Sequence, residues 1–309
     1  MTAVISHPDC TLHQNGTGSH PESAGRLGAI NNQLITSGLD CVLSHYDAPK
    51  AGKHDLYRVH TREYVEQVFR LAPQQGYTML DGDTWMNPHT LNAALRSAGA
   101  MLKAVDLVMT GKHSQAFCNI RPPGHHAGKS RAAGFCIFNN VAVGAAYALE
   151  KYDLQRVAIL DFDVHHGNGT EDIFSGDQRI LFGSSFQHPF YPYSGADTDV
   201  PNIINLPMPA GTSGEIWQQA VAQQWLPRLD EFKPELIIIS AGFDSHWKDD
   251  MGGFKLLEAD YAWFTQEMVK LADKYARGRL ISCLEGGYDL PSLGRSAVAH
   301  IKQLAEFQS

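Results

Sequence analysis

The sequence lacks most of the signals that mark a stapled, membrane-spanning or nucleic-acid-binding chain. Its 309 residues hold five cysteines, Cys10, Cys41, Cys118, Cys136 and Cys283. Their number is odd and no two are separated by two residues, so neither a disulfide framework nor a zinc finger is signalled. Most lie in apolar, strand-like stretches where a free buried thiol is the usual case, and a reducing cytoplasm is the expected compartment. No apolar run approaches the roughly 18 residues of a membrane span. The first residues lack the basic-then-apolar order of a secretory signal. Cations are in deficit: 25 Lys and Arg against 33 Asp and Glu leave a formal charge of −8, which argues against a general nucleic-acid binder. There is no internal repeat, no block of like charge and no Pro/Gly/Ser-rich linker, so one domain over residues 1–309 is expected. The chain is long enough to bury a large core unaided.

What is present is an alternation of short apolar runs and longer amphipathic segments. Strands are predicted at Ala3–Ser6, Cys41–Tyr46, Ala116–Ile120, Arg156–Phe162, Ile180–Phe186, Ile203–Leu206, Leu236–Ser240 and Leu280–Leu284. Helices are predicted at Glu22–Ser37, Thr61–Leu71, Pro88–Met109, Asn140–Lys151, Ser213–Glu231, Glu258–Tyr275 and Leu293–Phe307. Strands of this length between helices imply an α/β fold, a mostly parallel sheet covered by helices on both faces. Such sheets bind ligands beyond the carboxyl ends of their strands, and there the fifteen histidines and the glycines cluster.

The strand at Arg156–Phe162 runs into Asp161-Phe162-Asp163-Val164-His165-His166-Gly167-Asn168-Gly169. If the extended conformation persists, Asp161, Asp163 and His165 project to one side. Oxygen and nitrogen donors together suit zinc or another first-row divalent metal. A lone Asp-x-His would read as a polar turn; a second acid, a second histidine and two glycines in the same turn favour the metal. Asp244, after Leu236–Ser240, is alone a cap or loop residue; beside the first cluster it can be a third ligand, leaving the open position of a catalytic site. Adjacent His125 and His126 follow Arg121-Pro122-Pro123-Gly124. They can ligate metal or arise from loop composition, but a paired acid–base role fits better, with Asp161 and Asn168 as orienting partners. Tyr288, in Glu285-Gly286-Gly287-Tyr288, is either a packing residue or a neutral donor to a developing oxyanion.

These segments, together with Gly134-Phe135-Cys136-Ile137-Phe138-Asn139-Asn140 and Ser240-Ala241-Gly242-Phe243-Asp244, occur in order over most of the chain. In this the sequence resembles the zinc-dependent histone deacetylase family, within the arginase–deacetylase fold. The Pro-Pro-Gly-His-His form, Asn168 and the Glu-Gly-Gly-Tyr ending are similar to the class II branch, which includes bacterial deacetylases and acetylpolyamine amidohydrolases. The resemblance implies a central sheet of about eight strands. It also implies an amide hydrolase that takes the acetyl group off acyl-lysine, by attack of a metal-activated water. An acetylpolyamine amidohydrolase is the alternative, and a non-catalytic acyl-ligand-binding or scaffold protein a further one. Asp163, His165 and Asp244 would bind zinc. His126 would be general base and then acid, with His125 as its electrostatic partner and Asp161 and Asn168 contacting the pair. Tyr288 would bind the acetyl carbonyl. Gly134, Phe135 and Tyr191 would line the channel, Tyr191 where the family usually has Phe, and Asp83 would be a rim acid. Potassium would bind at Asp161, Asp163, His165, Ser184 and Ser185, and a second potassium at Phe174, Asp177, Ile180 and Asn202. The two-metal arginase branch has acids where this chain has Gly167 and His246, so one metal is expected. Loop acids Asp197, Asp199, Asp249 and Asp250 could gate a cationic substrate or simply be solvated. Acetylated lysine or acetylated polyamine would be the partner, with no direct contact to nucleic acid or membrane.

Overall fold

The computed structural model describes residues 2–306. Eight strands form one parallel sheet in the order β2-β1-β5-β10-β9-β6-β7-β8. They are β1 Ala3–Ser6, β2 Ser44–Asp47, β5 Gln115–Cys118, β6 Val157–Asp161, β7 Ile180–Gln187, β8 Ile203–Met208, β9 Leu236–Ala241 and β10 Leu280–Leu284. The central strands β6, β9 and β10 are mostly apolar and wholly buried, as a sheet covered on both faces requires, with polar residues only at Asp161, Ser240 and Ser282. Helices α1 Asp9–Leu12, α5 Thr90–Met109, α6 Asn140–Tyr152 and α7 Asn168–Phe174 cover one face. Helices α2 Gly25–Ser37, α8 Gly214–Phe232, α9 Glu258–Tyr275 and α10 Leu290–Glu306 cover the other. Short α3 Lys53–Leu56 and α4 Arg62–Leu71 complete the helices. The expected α/β architecture and its eight parallel strands are what the chain adopts.

Three sequence expectations shift. The strand expected at Cys41–Tyr46 begins only at Ser44, because left-handed Gly38 turns the chain into a 3-10 turn over Leu39–Val42. The helix expected from Glu22 starts at Gly25; Glu22 is instead drawn inward by the buried Arg121 and Arg26. The final helix starts earlier, at Leu290, and Phe307, its expected last residue, lies outside the described residues. Neither the short helices α1, α3 and α7 nor a two-stranded hairpin is predicted from the sequence. A hairpin of β3 Thr78–Asp81 and β4 Thr84–Met86 stands apart from the main sheet and carries Asp83 at its turn.

The strand order positions the site. β5, β10, β9 and β6 are consecutive neighbours at the centre, although β7 and β8 separate β5 and β6 from β9 and β10 in the sequence. The carboxyl ends of these four strands release His125 and His126, Tyr288, Asp244, and Asp161 to His165 beside one another. This is the crevice where an open parallel sheet binds its ligand. Among the described residues no helix is long and apolar enough to cross a membrane.

Candidate active site

β6 ends at Asp161, and beyond it the chain is not extended. The backbone N–H of Asp163 donates to Asp161 Oδ1 at 3.1 Å, and that of His165 donates to Asp163 Oδ1 at 2.9 Å. Asp163 and His165 therefore reach one locus through successive side-chain-to-backbone turns, not through the strand alternation expected from sequence. Asp244 closes the group: one ligand atom from each of Asp163, His165 and Asp244 lies within 4.8 Å of the others, and all three residues are buried.

The donor set fits a divalent metal. Asp244 Oδ2 is buried without a hydrogen bond and stands 3.3 Å from His165 Nδ1. Burial, and then the nearby Asp163 charge, push the Asp244 carboxyl up to about 7. Burial opposes a charge on His165, but the bond to Asp163 and the nearby Asp244 carboxylate win and lift the ring to about 10. Two carboxylates crowded around one imidazole, with a proton holding them together, are what a cation replaces on binding. A second group, His125, Cys136 and Glu285, also lies close together, but its atoms are already engaged. Glu285 Oε2 accepts from the Gly124 and His125 N–H groups at 2.7 and 3.1 Å, and Cys136 Sγ donates to Gly134 O at 3.3 Å. At the arginase-type second position, a Cβ on Gly167 would stand 2.3 Å from Asp161 Oδ2, so no carboxylate fits there.

His125 and His126 lie side by side, ring centroids 4.0 Å apart, and their surroundings drive them in opposite directions. His125 Nδ1 meets Asp161 Oδ2 at 2.9 Å. Burial disfavours its charge, but Asp161 and Asp163 outweigh that and hold it well above the ordinary imidazole range. Among the described residues the His126 ring hydrogen-bonds only the neutral Asn168, whose Oδ1 lies 2.7 Å from Nδ1. Burial, followed by repulsion from His125 and His165, holds it well below that range. The bond to Asn168 fixes the proton on Nδ1 and leaves Nε2 with a free lone pair. A cationic and a neutral histidine in contact are a matched acid–base pair.

A pocket of about 290 Å³ opens onto these groups, lined by Asp83, His126, Gly134, Phe135, His165, Phe190, Tyr191, Asp250, Met251 and Tyr288. His165 stacks on Phe190 at 5.5 Å, and Tyr191 meets His126 edge-on at 5.2 Å. Burial pushes the Tyr288 hydroxyl well above its ordinary pKa, which keeps it a donor at neutral pH. Its backbone is clamped: Asp249 Oδ2 accepts from the Tyr288 and Asp289 N–H groups at 2.6 and 2.9 Å, and Arg26 Nε donates to Gly287 O at 2.6 Å.

The structure brings together His125, His126, Asp161, Asp163, His165, Asn168, Asp244 and Tyr288, with Asp83, Gly134, Phe135 and Tyr191 along the pocket. Three expectations need correction. Asp249 is no gate: it is buried and anchors Tyr288. Asp197 and Asp199 are exposed and do not line the pocket; of the loop acids only Asp250 does. The second potassium cradle is filled by the protein itself. Asn202 Nδ2 donates toward the carbonyl oxygens of Phe174, Asp177 and Ile180 at 2.9, 3.2 and 3.0 Å. Its Oδ1 accepts from Gly176 N–H at 3.0 Å, which fixes the amide's orientation. A donor amide standing among three carbonyls does not fit a cation there. Sequence reasoning does not find the backbone-anchoring roles of Asp249, Glu285 and Arg26, and it does not single out Arg26 at all.

Residues 20–304 match the family model of the histone deacetylase domain. The chain belongs to the histone deacetylase family. It is accordingly a hydrolase of the deacetylase and amidohydrolase type. A probable deacetylase of Archaeoglobus fulgidus is 36% identical over 94% of this chain and 82% of its own. A histone deacetylase-like amidohydrolase of Pseudomonas aeruginosa is 34% identical, covering 95% and 78%. The crystal structure of the HDA15 HD domain superimposes with a TM-score of 0.93 at 35% identity, over 100% of this chain and 90% of that one.

Proposed function

We propose that this histone deacetylase family member is a zinc-dependent enzyme that removes the acetyl group from the side-chain amine of acetyl-lysine, releasing acetate. The observation that carries the reading is the pairing of a cationic His125 with a neutral His126 beside the Asp163, His165 and Asp244 group. Zinc held by those three residues would supply a Lewis acid for the acetyl oxygen and lower the pKa of water. His126 takes a proton from the attacking water at Nε2, since its Nδ1–H is committed to Asn168. It returns that proton to the departing nitrogen, so a free amine leaves. Tyr288 donates from its hydroxyl to the carbonyl oxygen as charge builds there. His125, held by Asp161, supplies fixed positive charge beside the reacting group. Potassium would be held near the zinc group by Asp161, Asp163, His165, Ser184 and Ser185; Asp161 and Ser184 are register partners on β6 and β7.

Acetylated polyamine is the second reading. Asp83 and Asp250 line the pocket and, among the described residues, no Lys or Arg does, which favours a cationic substrate. The test is acetate release by zinc-loaded protein, with and without chelator, on acetyl-lysine peptides and acetylated polyamines side by side. Chelator-sensitive release supports the metal-dependent reading, and the higher kcat/KM selects the substrate class. Release that survives full metal removal overturns it.

A further inference from the structure

Residues Ala133–Cys136 form a closed turn. The Cys136 N–H donates to the Ala133 carbonyl at 2.8 Å, and the Ala133 N–H donates to the Cys136 carbonyl at 3.2 Å. Both central residues are left-handed, with φ of +53° at Gly134 and +66° at Phe135. Two successive positive φ values define the I′ turn, whose second central position ordinarily takes glycine. A bulky aromatic there is strained and persists only where its surroundings impose it.

Two neighbours impose it here. At Gly134 a Cβ would come within 2.2 Å of the His126 ring, so the turn is pressed against the active site from inside. From outside, the β3–β4 hairpin caps the two turn N–H groups that the turn itself leaves unpaired. Gly134 N–H donates to Asp83 Oδ1 at 3.1 Å, and Phe135 N–H donates to Thr84 Oγ1 at 3.0 Å. The Thr84 hydroxyl donates in turn to Asp83 Oδ1 at 2.9 Å. Thr84 is buried and does not line the pocket. Held this way, the Phe135 ring forms a pocket wall and meets Tyr288 edge-on at 6.3 Å, with His20 behind it at 4.7 Å.

We propose that Thr84 is a positioning residue for deacetylation: its hydroxyl pins the left-handed Phe135, so that the ring narrows the pocket beside Tyr288. It acts through Phe135 and not on the reacting atoms. Asp83 shares the task but also faces the pocket, so Thr84 is the cleaner probe. The proposal rests on the deacetylase reading for its kinetic test and on coordinates alone for its structural one.

The test compares Thr84→Val, which keeps the shape and loses the acceptor, with Thr84→Ser, which restores it. Thr84→Ala replaces the valine variant if valine disturbs folding. For zinc-loaded protein and an acetyl-lysine peptide, Thr84→Val should raise KM roughly tenfold, the size of one lost buried hydrogen bond. Its kcat and zinc content should change little, and Thr84→Ser should stay within about twofold of the unaltered protein. Crystal structures should show Phe135 displaced in Thr84→Val and left-handed in Thr84→Ser. An unmoved Phe135 in Thr84→Val overturns the proposal, whatever KM does, because the hydroxyl would then act elsewhere. Equal impairment by serine and valine overturns it too, since packing would be the cause. If the unaltered protein hydrolyses neither substrate class, the functional reading fails and the crystal comparison still decides Thr84.

Discussion

The floor of the pocket and its mouth are built by different means. On the floor each histidine of the site is held by a second side chain: His125 by Asp161, His126 by Asn168, His165 by Asp163. The backbone beneath is tied as well, Gly124 and His125 to Glu285 and Tyr288 to Asp249. At the mouth, Asp250 is exposed and makes no hydrogen bond or ion pair among the described residues, and Met251 beside it is half-buried. Reaction geometry demands fixed atoms, whereas recognition of a flexible amine does not. The floor states which reaction runs, and the mouth states which amine is admitted.

The sharpest way to break this contrast is to remove a floor residue with no substitute. Asp244→Ala should cut bound zinc to roughly a tenth or less of the unaltered stoichiometry and abolish turnover with it, because a three-residue site loses one charged donor. Metal content by mass spectrometry checks it; full zinc occupancy would take Asp244 out of the ligand set. Tyr288→Phe should keep the zinc and lose about a hundredfold or more in kcat, as for other lost oxyanion donors. Near-normal kcat would show that the tyrosine only packs.

A subtler change alters the charge around His126 without removing it. The working form of His126 is neutral, so kcat/KM rises with pH through its pKa. Burial and its cationic neighbours hold that pKa low, which sets the acid limb of the profile below the ordinary imidazole value of about 6.5. Asn168→Asp places a carboxylate where a neutral amide now accepts the Nδ1 proton, and should move that limb upward by about one unit or more. A pH–rate profile of both proteins reads the shift directly. An unmoved limb would assign the titration to another group.

The same contrast explains what the sequence made legible. The central strands are short, mostly apolar and buried, so periodicity and flanking glycines locate them closely. The site side chains follow those strands at once, which is why Asp161 to His165, Asp244 and Tyr288 could be named in advance. The residues that hold them could not be read this way. Sequence groups Asp249 with the loop acids that could gate a cation or be solvated, because nothing local separates it from Asp250; only the fold turns one inward to the Tyr288 N–H and leaves the other outside. The β3–β4 hairpin is short and half-exposed, so its pattern is weak. The resemblance sets Asn202 beside the Phe174, Asp177 and Ile180 carbonyls as a fellow ligand, but sequence does not say which end of a carboxamide faces them, and here it is the donor end.

At the mouth the expected effects are small, and their size is itself informative. Asp250 can attract a cationic substrate only across water, and exposed ion pairs contribute about 0.2–1 kcal/mol. Asp250→Asn should therefore raise KM for an acetylated polyamine by no more than about fivefold, with kcat unchanged. The effect should fade as salt rises and the Debye length shrinks from about 10 Å at 0.1 M. An acetyl-lysine peptide with uncharged flanks should be indifferent to the change. Steady-state kinetics on both substrates at two ionic strengths separates the cases. A shift of equal size on the neutral peptide would mean that Asp250 shapes the mouth and does not select charge. A salt-sensitive shift confined to the polyamine would place charge selection at Asp250, the one carboxylate of the pocket lining that none of the described residues holds.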